Sequence, residues 1–74
     1  MKKKGIKMAA ILKVFGKKVL YYRRKKKLSQ ETFAKIAGMH RTYISQIEGG
    51  KRNIALKNVV KLAKALGVSP KDLL

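Results

Sequence analysis

The segment Gln30-Glu-Thr-Phe-Ala-Lys-Ile-Ala-Gly-Met-His-Arg-Thr-Tyr-Ile-Ser-Gln-Ile-Glu48 constrains the fold more than any other part of the chain. Its apolar and small residues, Phe33, Ala34, Ala37, Met39, Ile44 and Ile47, recur at helical spacing on either side of Gly38. This pattern predicts two short helices whose apolar stripes meet in one wedge. Ala34 is small where a crossing helix must come close, and Gly38 takes the positive φ that ends one helix and redirects the chain. No proline interrupts the unit, and Gly49 and Gly50 follow it as a stop signal.

Two helices at a steep angle across a glycine turn form a helix-turn-helix, although an ordinary αα-hairpin has the same spacing. Charge separates the two readings. Twenty Lys and Arg against three Asp and Glu give a formal charge of +17 and favour a polyanionic partner, nucleic acid first. Residues 1–27 hold twelve of the basic groups and no acid; residues 28–74 hold the other eight and all three acids. The absence of cysteine excludes a disulfide framework and a thiolate metal site. One histidine and three acids leave too few groups for a nucleophile, a base and an acid, so the reading is a non-enzyme without metal or cofactor.

Met8-Ala-Ala-Ile-Leu12 after a lysine-rich start has the outline of a secretory leader, but Lys13 breaks the apolar run and no small-residue cleavage site follows. No run approaches the ~20 apolar residues of a membrane span. Residues 1–12 therefore read as a basic N-terminal arm or helix extension, and residues 13–74 as the folded domain. A first helix is expected from Met8 or Lys13 to Lys26, with Leu12, Phe15, Val19 and Tyr22 as its core stripe and a basic run, Arg23 to Lys27, at its end. Ser29 is placed to cap a second helix over Gln30–Ala37, with Glu31 in its first turn. A third runs from Arg41 to Glu48. Leu56, Val59, Val60, Ala63 and Leu66 mark a fourth, stopped by Gly67, and Ser69-Pro70 opens a fifth. The fold class is all-α, with five short helices.

Leu28-Ser-Gln-Glu31, Ala34, Gly38, Ile44, Ile47-Glu48, Gly50 and Ala63-Lys-Ala-Leu-Gly-Val-Ser69 together resemble the Xre-type helix-turn-helix family, which includes lambdoid phage repressors and Cro proteins. The resemblance runs from Phe15 to Leu74. Within the family, His40-Arg-Thr-Tyr-Ile-Ser45 with Ile47-Glu48 and Arg52-Asn53 looks most like the controller proteins of restriction-modification systems. It implies a compact lambda-repressor-like domain that regulates transcription in the cytoplasm, at the nucleoid, by binding double-stranded DNA as a homodimer on paired half-sites. It also implies that Arg23 and Glu48 form a structural pair tying the first helix to the third.

With the third helix in the major groove, Arg41, Thr42, Ser45 and Gln46 lie on the face away from Ile44 and Ile47 and are the candidate base readers. Arg41 suits a guanine, Thr42 a phosphate or a thymine methyl group, and Gln46 an adenine if mid-helix placement lets it reach. Gln30, His40, Tyr43, Lys51, Arg52 and Asn53 are the candidate phosphate contacts, and Tyr43 is equally suited to pack its ring in the core. The dimer is expected around Val68, Leu73 and Leu74 in the last helix. Departures from the family are Lys27 in place of a common glycine, Thr32 in place of Glu or Gln, and His40 and Ala55 in place of capping residues. Two other function classes remain open: an antitoxin-like or bridging protein-interaction module with this fold, and a cationic membrane-active protein drawing on Gly5 to Lys27.

Overall fold

In the computed structural model, which describes residues 7–74, the chain forms five helices: α1 (Met8–Lys25), α2 (Gln30–Ala37), α3 (Arg41–Glu48), α4 (Leu56–Leu66) and α5 (Pro70–Leu73). There is no strand among the described residues. Of the segment read as an arm or helix extension, residues 8–12 continue α1, and residues 1–6 lie outside the described residues.

Local chemistry sets each boundary. Lys26 and Lys27 close α1 with backbone bonds to its last turn, and Leu28 N–H reaches back to the Arg23 carbonyl at 3.1 Å. That closure puts Lys27 at φ 59°, the left-handed region where glycine is usual, so the departure at this position carries a backbone cost of about 1–2 kcal/mol. Ser29 caps α2 by accepting the Thr32 N–H at 3.0 Å, and the Thr32 hydroxyl lies 3.0 Å from the Ser29 hydroxyl. Gly38, at φ 71°, turns the chain from α2 toward α3, and Met39 N–H closes the turn on the Ala34 carbonyl at 2.8 Å. His40 and Ala55 begin α3 and α4 without a side-chain cap bond. At α5, Pro70 stands at the first helical position and the Ser69 N–H donates to the Asp72 carboxylate at 2.9 Å.

The core draws on every helix: Phe15 and Val19 from α1, Phe33, Ala34 and Ala37 from α2, Ile44 and Ile47 from α3, Val59, Leu62, Ala63 and Leu66 from α4, and Leu73 from α5. All the apolar positions expected for the helix-turn-helix wedge are buried except Met39, which is half-buried, as are Leu12 and Tyr22 in the α1 stripe. On α4 the expected stripe is partly wrong. Leu56 and Val60 are 73% and 51% exposed, while Leu62 is fully buried. The helix is set by Val59, Leu62, Ala63 and Leu66, spaced i, i+3, i+4 and i+7; Val60 lies one residue, about 100°, further round, and Leu56 precedes the packed turn.

The placement of Leu73 in a dimer contact is also corrected. Leu73 is fully buried within its own chain, because α5 folds back against α4 and α1 and closes the end of the core. Val68 is half-buried, and of the three residues only Leu74 is exposed.

Candidate nucleic-acid interface

The position of α3 depends on a close approach to α1. Gly16 lies in the middle of α1, buried, against the end of α3, where an added Cβ would stand 2.3 Å from the Ile47 carbonyl oxygen and 2.8 Å from that of Glu48. The two backbones thus meet at a distance only glycine permits. About two turns further along α1, the Arg23 guanidinium reaches the same end of α3. Its Nε donates to Glu48 Oε2 at 2.6 Å, its Nη2 to Glu48 Oε1 at 3.0 Å and its Nη1 to the Leu28 carbonyl at 2.7 Å. Both side chains are about nine-tenths buried or more, so the charges are tolerated because they are paired and bonded at both ends.

Gln30, the first residue of α2, joins this network by donating from Nε2 to Glu48 Oε1 at 2.9 Å. One acid therefore fixes α1, the start of α2 and the end of α3 together. Gln30 enters the sequence reading as a candidate phosphate contact; here one of its two amide hydrogens is committed to Glu48 and the other remains.

With Ile44 and Ile47 in the core, α3 turns Arg41, Thr42 and Ser45 outward, and all three are exposed. Gln46 is half-buried and accepts a hydrogen bond from Arg52 Nη1 at 2.8 Å. His40, Lys51, Arg52 and Asn53 are exposed on the segments flanking α3. Tyr43 serves two neighbours: it is half-buried, the Arg52 guanidinium lies 4.9 Å from its ring centre, and its hydroxyl accepts from Asn58 Nδ2 at 3.0 Å. Asn58 on α4 and Gly16 on α1 are the two residues missed by sequence reasoning. A lone glycine inside a helical pattern is a signal for close packing. Nothing local marks Asn58, whose role exists only once α4 is folded against α3.

Among the described residues no group of His, Cys, Asp and Glu is placed to hold a metal ion, and no helix is long and apolar enough to cross a membrane. An apolar groove of about 450 Å³ lies apart from α3, bordered by Met8, Ile11 and Val14 of α1 and by Ile54, Leu56 and Leu74.

Comparison with known proteins agrees with this geometry. The family model described as Helix-turn-helix matches residues 19–73. The chain is 55% identical over 62 residues to Control protein C.BamHI of Bacillus amyloliquefaciens, covering 82% of this chain and 76% of that one. The crystal structure of the restriction-modification controller protein C.AhdI from Aeromonas hydrophila superposes with a TM-score of 0.86 at 43% identity, over 88% of this chain and 98% of that one. The biofilm master regulator SinR, solved in complex with DNA, superposes with a TM-score of 0.77 at 30% identity, over 80% of this chain and 95% of that one. By family match, sequence identity and fold together, the chain belongs to the Xre-type helix-turn-helix family of DNA-binding transcriptional regulators, among the restriction-modification control proteins.

Proposed function

We propose that the protein regulates transcription by placing α3 in the major groove of a specific operator, as a homodimer on two half-sites. The observation that carries this reading is the split surface of α3: Ile44 and Ile47 are locked in the core while Arg41, Thr42 and Ser45 stand exposed together. Arg41, at the N-terminal end of α3, supplies a planar fork for guanine N7 and O6, and Thr42 and Ser45 add hydroxyls for base edges or phosphate. His40, Tyr43, the remaining Gln30 hydrogen, and Lys51, Arg52 and Asn53 hold the backbone on either side. The controller-protein relatives support a role in regulating a restriction-modification system from the cytoplasm, and the protein acts by binding rather than catalysis.

The dimer contact must work against strong like-charge repulsion, since each copy carries +17. The groove between α1, α4 and Leu74 is suited to that task because none of its lining side chains is charged. Leu74, Leu56 and Met8, each more than half exposed, replace the buried Leu73 as the contact residues. Joined there as a two-fold dimer, the two copies of α3 address half-sites roughly 34 Å apart.

Arg41→Ala tests base reading. Binding to the preferred site is expected to weaken by about 1–3 kcal/mol, with relaxed preference at a single base pair in each half-site. Titration against the site and its single-base variants measures both. Equal weakening on all sequences assigns Arg41 to phosphate, and a wild type without preference among them returns the fold to an interaction module without base readout.

A further inference from the structure

Arg52, Tyr43, Asn58 and Gln46 form a chain of contacts that joins α4 to a candidate base reader, and its chemistry has one direction. A guanidinium only donates hydrogen bonds. The 2.8 Å contact from Arg52 Nη1 therefore requires the oxygen of the Gln46 amide on that side, whichever way the amide would otherwise turn. The amide nitrogen, Nε2, is the free end. Arg52 is itself held, with its guanidinium 4.9 Å from the Tyr43 ring centre, and the Tyr43 hydroxyl accepts from Asn58 Nδ2 at 3.0 Å. Asn58 and Tyr43 are half-buried, so this end of the chain is anchored in the fold.

We propose that Asn58, Tyr43 and Arg52 act as a latch that presents Gln46 to DNA as a hydrogen-bond donor, so that the base pair it faces is chosen as guanine over adenine. Glutamine reads adenine by using both ends of its amide, accepting from N6 and donating to N7. With one lone pair of the oxygen engaged by Arg52 and the amide plane fixed by that bond, adenine N6 can reach only the second lone pair, which weakens the two-ended mode. Guanine offers two acceptors, N7 and O6, and either is met by the free Nε2 hydrogens. Unlatched, Gln46 regains the two-ended mode, so the sequence reading of Gln46 as an adenine contact describes the protein without its latch. Asn58 and Arg52 are positioning residues for this choice, although Arg52 is also a candidate phosphate contact.

The proposal rests on Gln46 reading a base, and the test separates the two. Duplexes bound from a randomised library in ~0.15 M salt are sequenced for the wild type and for Gln46→Ala, Arg52→Met and Asn58→Ala, each first shown to be folded by circular dichroism. At one base pair the wild type is expected to favour guanine over adenine roughly tenfold, and Gln46→Ala to abolish that preference. Arg52→Met is expected to bring the ratio to one or below, alongside a uniform loss of affinity, and Asn58→Ala to shift it the same way by less. If Gln46→Ala flattens that position while the other two variants keep the wild-type ratio, Gln46 is a reader and the latch is wrong. A wild-type preference for adenine there overturns the latch as well. If Gln46→Ala changes no position, Gln46 reads no base and the proposal falls with its premise.

Discussion

Replacing Glu48 with alanine is expected to remove about 3–5 kcal/mol of stability, the range found when one partner of a buried ion pair is deleted. A domain of this size has about 4–11 kcal/mol in total, so the variant sits near the edge of folding. The loss comes chiefly from what remains. Arg23 is 8% exposed and keeps only its bond to the Leu28 carbonyl, which leaves Nε and Nη2 buried without acceptors. Gln30 loses its acceptor in the same step. Urea unfolding followed by circular dichroism measures the change. A paired Arg23→Met and Glu48→Met substitution should recover most of it, because apolar groups of similar volume remove both charges together, and should fall short by the unsatisfied Leu28 carbonyl. A loss below about 1 kcal/mol for Glu48→Ala would place the pair among ordinary surface ion pairs.

Gly16→Ala sets two effects of opposite sign against each other. Helix propensity alone favours alanine by about 0.8–1.0 kcal/mol in a helix interior. Packing opposes it: the new methyl group would meet two backbone carbonyl oxygens, at 2.3 and 2.8 Å, and neither can turn aside as a side chain would. Overpacking of this kind costs about 1–3 kcal/mol, and contact with backbone belongs at the upper end, so the net change is a loss of roughly 2 kcal/mol. Separating α1 from α3 also pulls Arg23 away from Glu48, and DNA binding should weaken along with stability. Gly49→Ala is the control. It has φ −83°, and an added Cβ there comes no closer than 3.4 Å to the Ser45 carbonyl, so the change should be neutral or mildly stabilising. A gain in stability for Gly16→Ala would show that the two helices do not approach as described.

These two sites differ in how far the sequence reveals them. The helix-turn-helix was legible because its signals are local: apolar spacing within each helix, Ser29 as a cap and Gly38 at the turn, each of which the fold uses as read. The Arg23–Glu48 pair was legible only through family resemblance, since nothing between residues 25 positions apart in sequence announces a contact. Where several apolar residues crowd one helix, periodicity alone misassigned the face: α4 buries Leu62 and exposes Leu56 and Val60. Leu73 looked available for a partner because it lies at the end of the chain, yet the fold uses it to close its own core. Contacts between Asn58 and Tyr43, or Arg52 and Gln46, join elements whose spacing is set by the assembled core. Sequence placed Gln46 and Arg52 as separate DNA contacts and gave no sign that one orients the other.

Charge adds a further demand. The first 27 residues hold twelve basic groups and no acid, so binding to any duplex at low salt will be strong and will fall steeply as salt rises. The base contacts proposed for α3 would carry sequence information and the phosphate contacts would not, so selectivity is expected to be clearest where counterions weaken the second without removing the first.

Selection of bound fragments from a fully randomised duplex library in ~0.15 M salt therefore separates base reading by α3 from attraction by charge alone. The expected result is enrichment of a two-fold symmetric motif whose halves are spaced by about one helical turn, roughly 34 Å, with a guanine in each half that disappears from the motif of Arg41→Ala. Recovery of unenriched fragments, bound equally by wild type and Arg41→Ala, would contradict it.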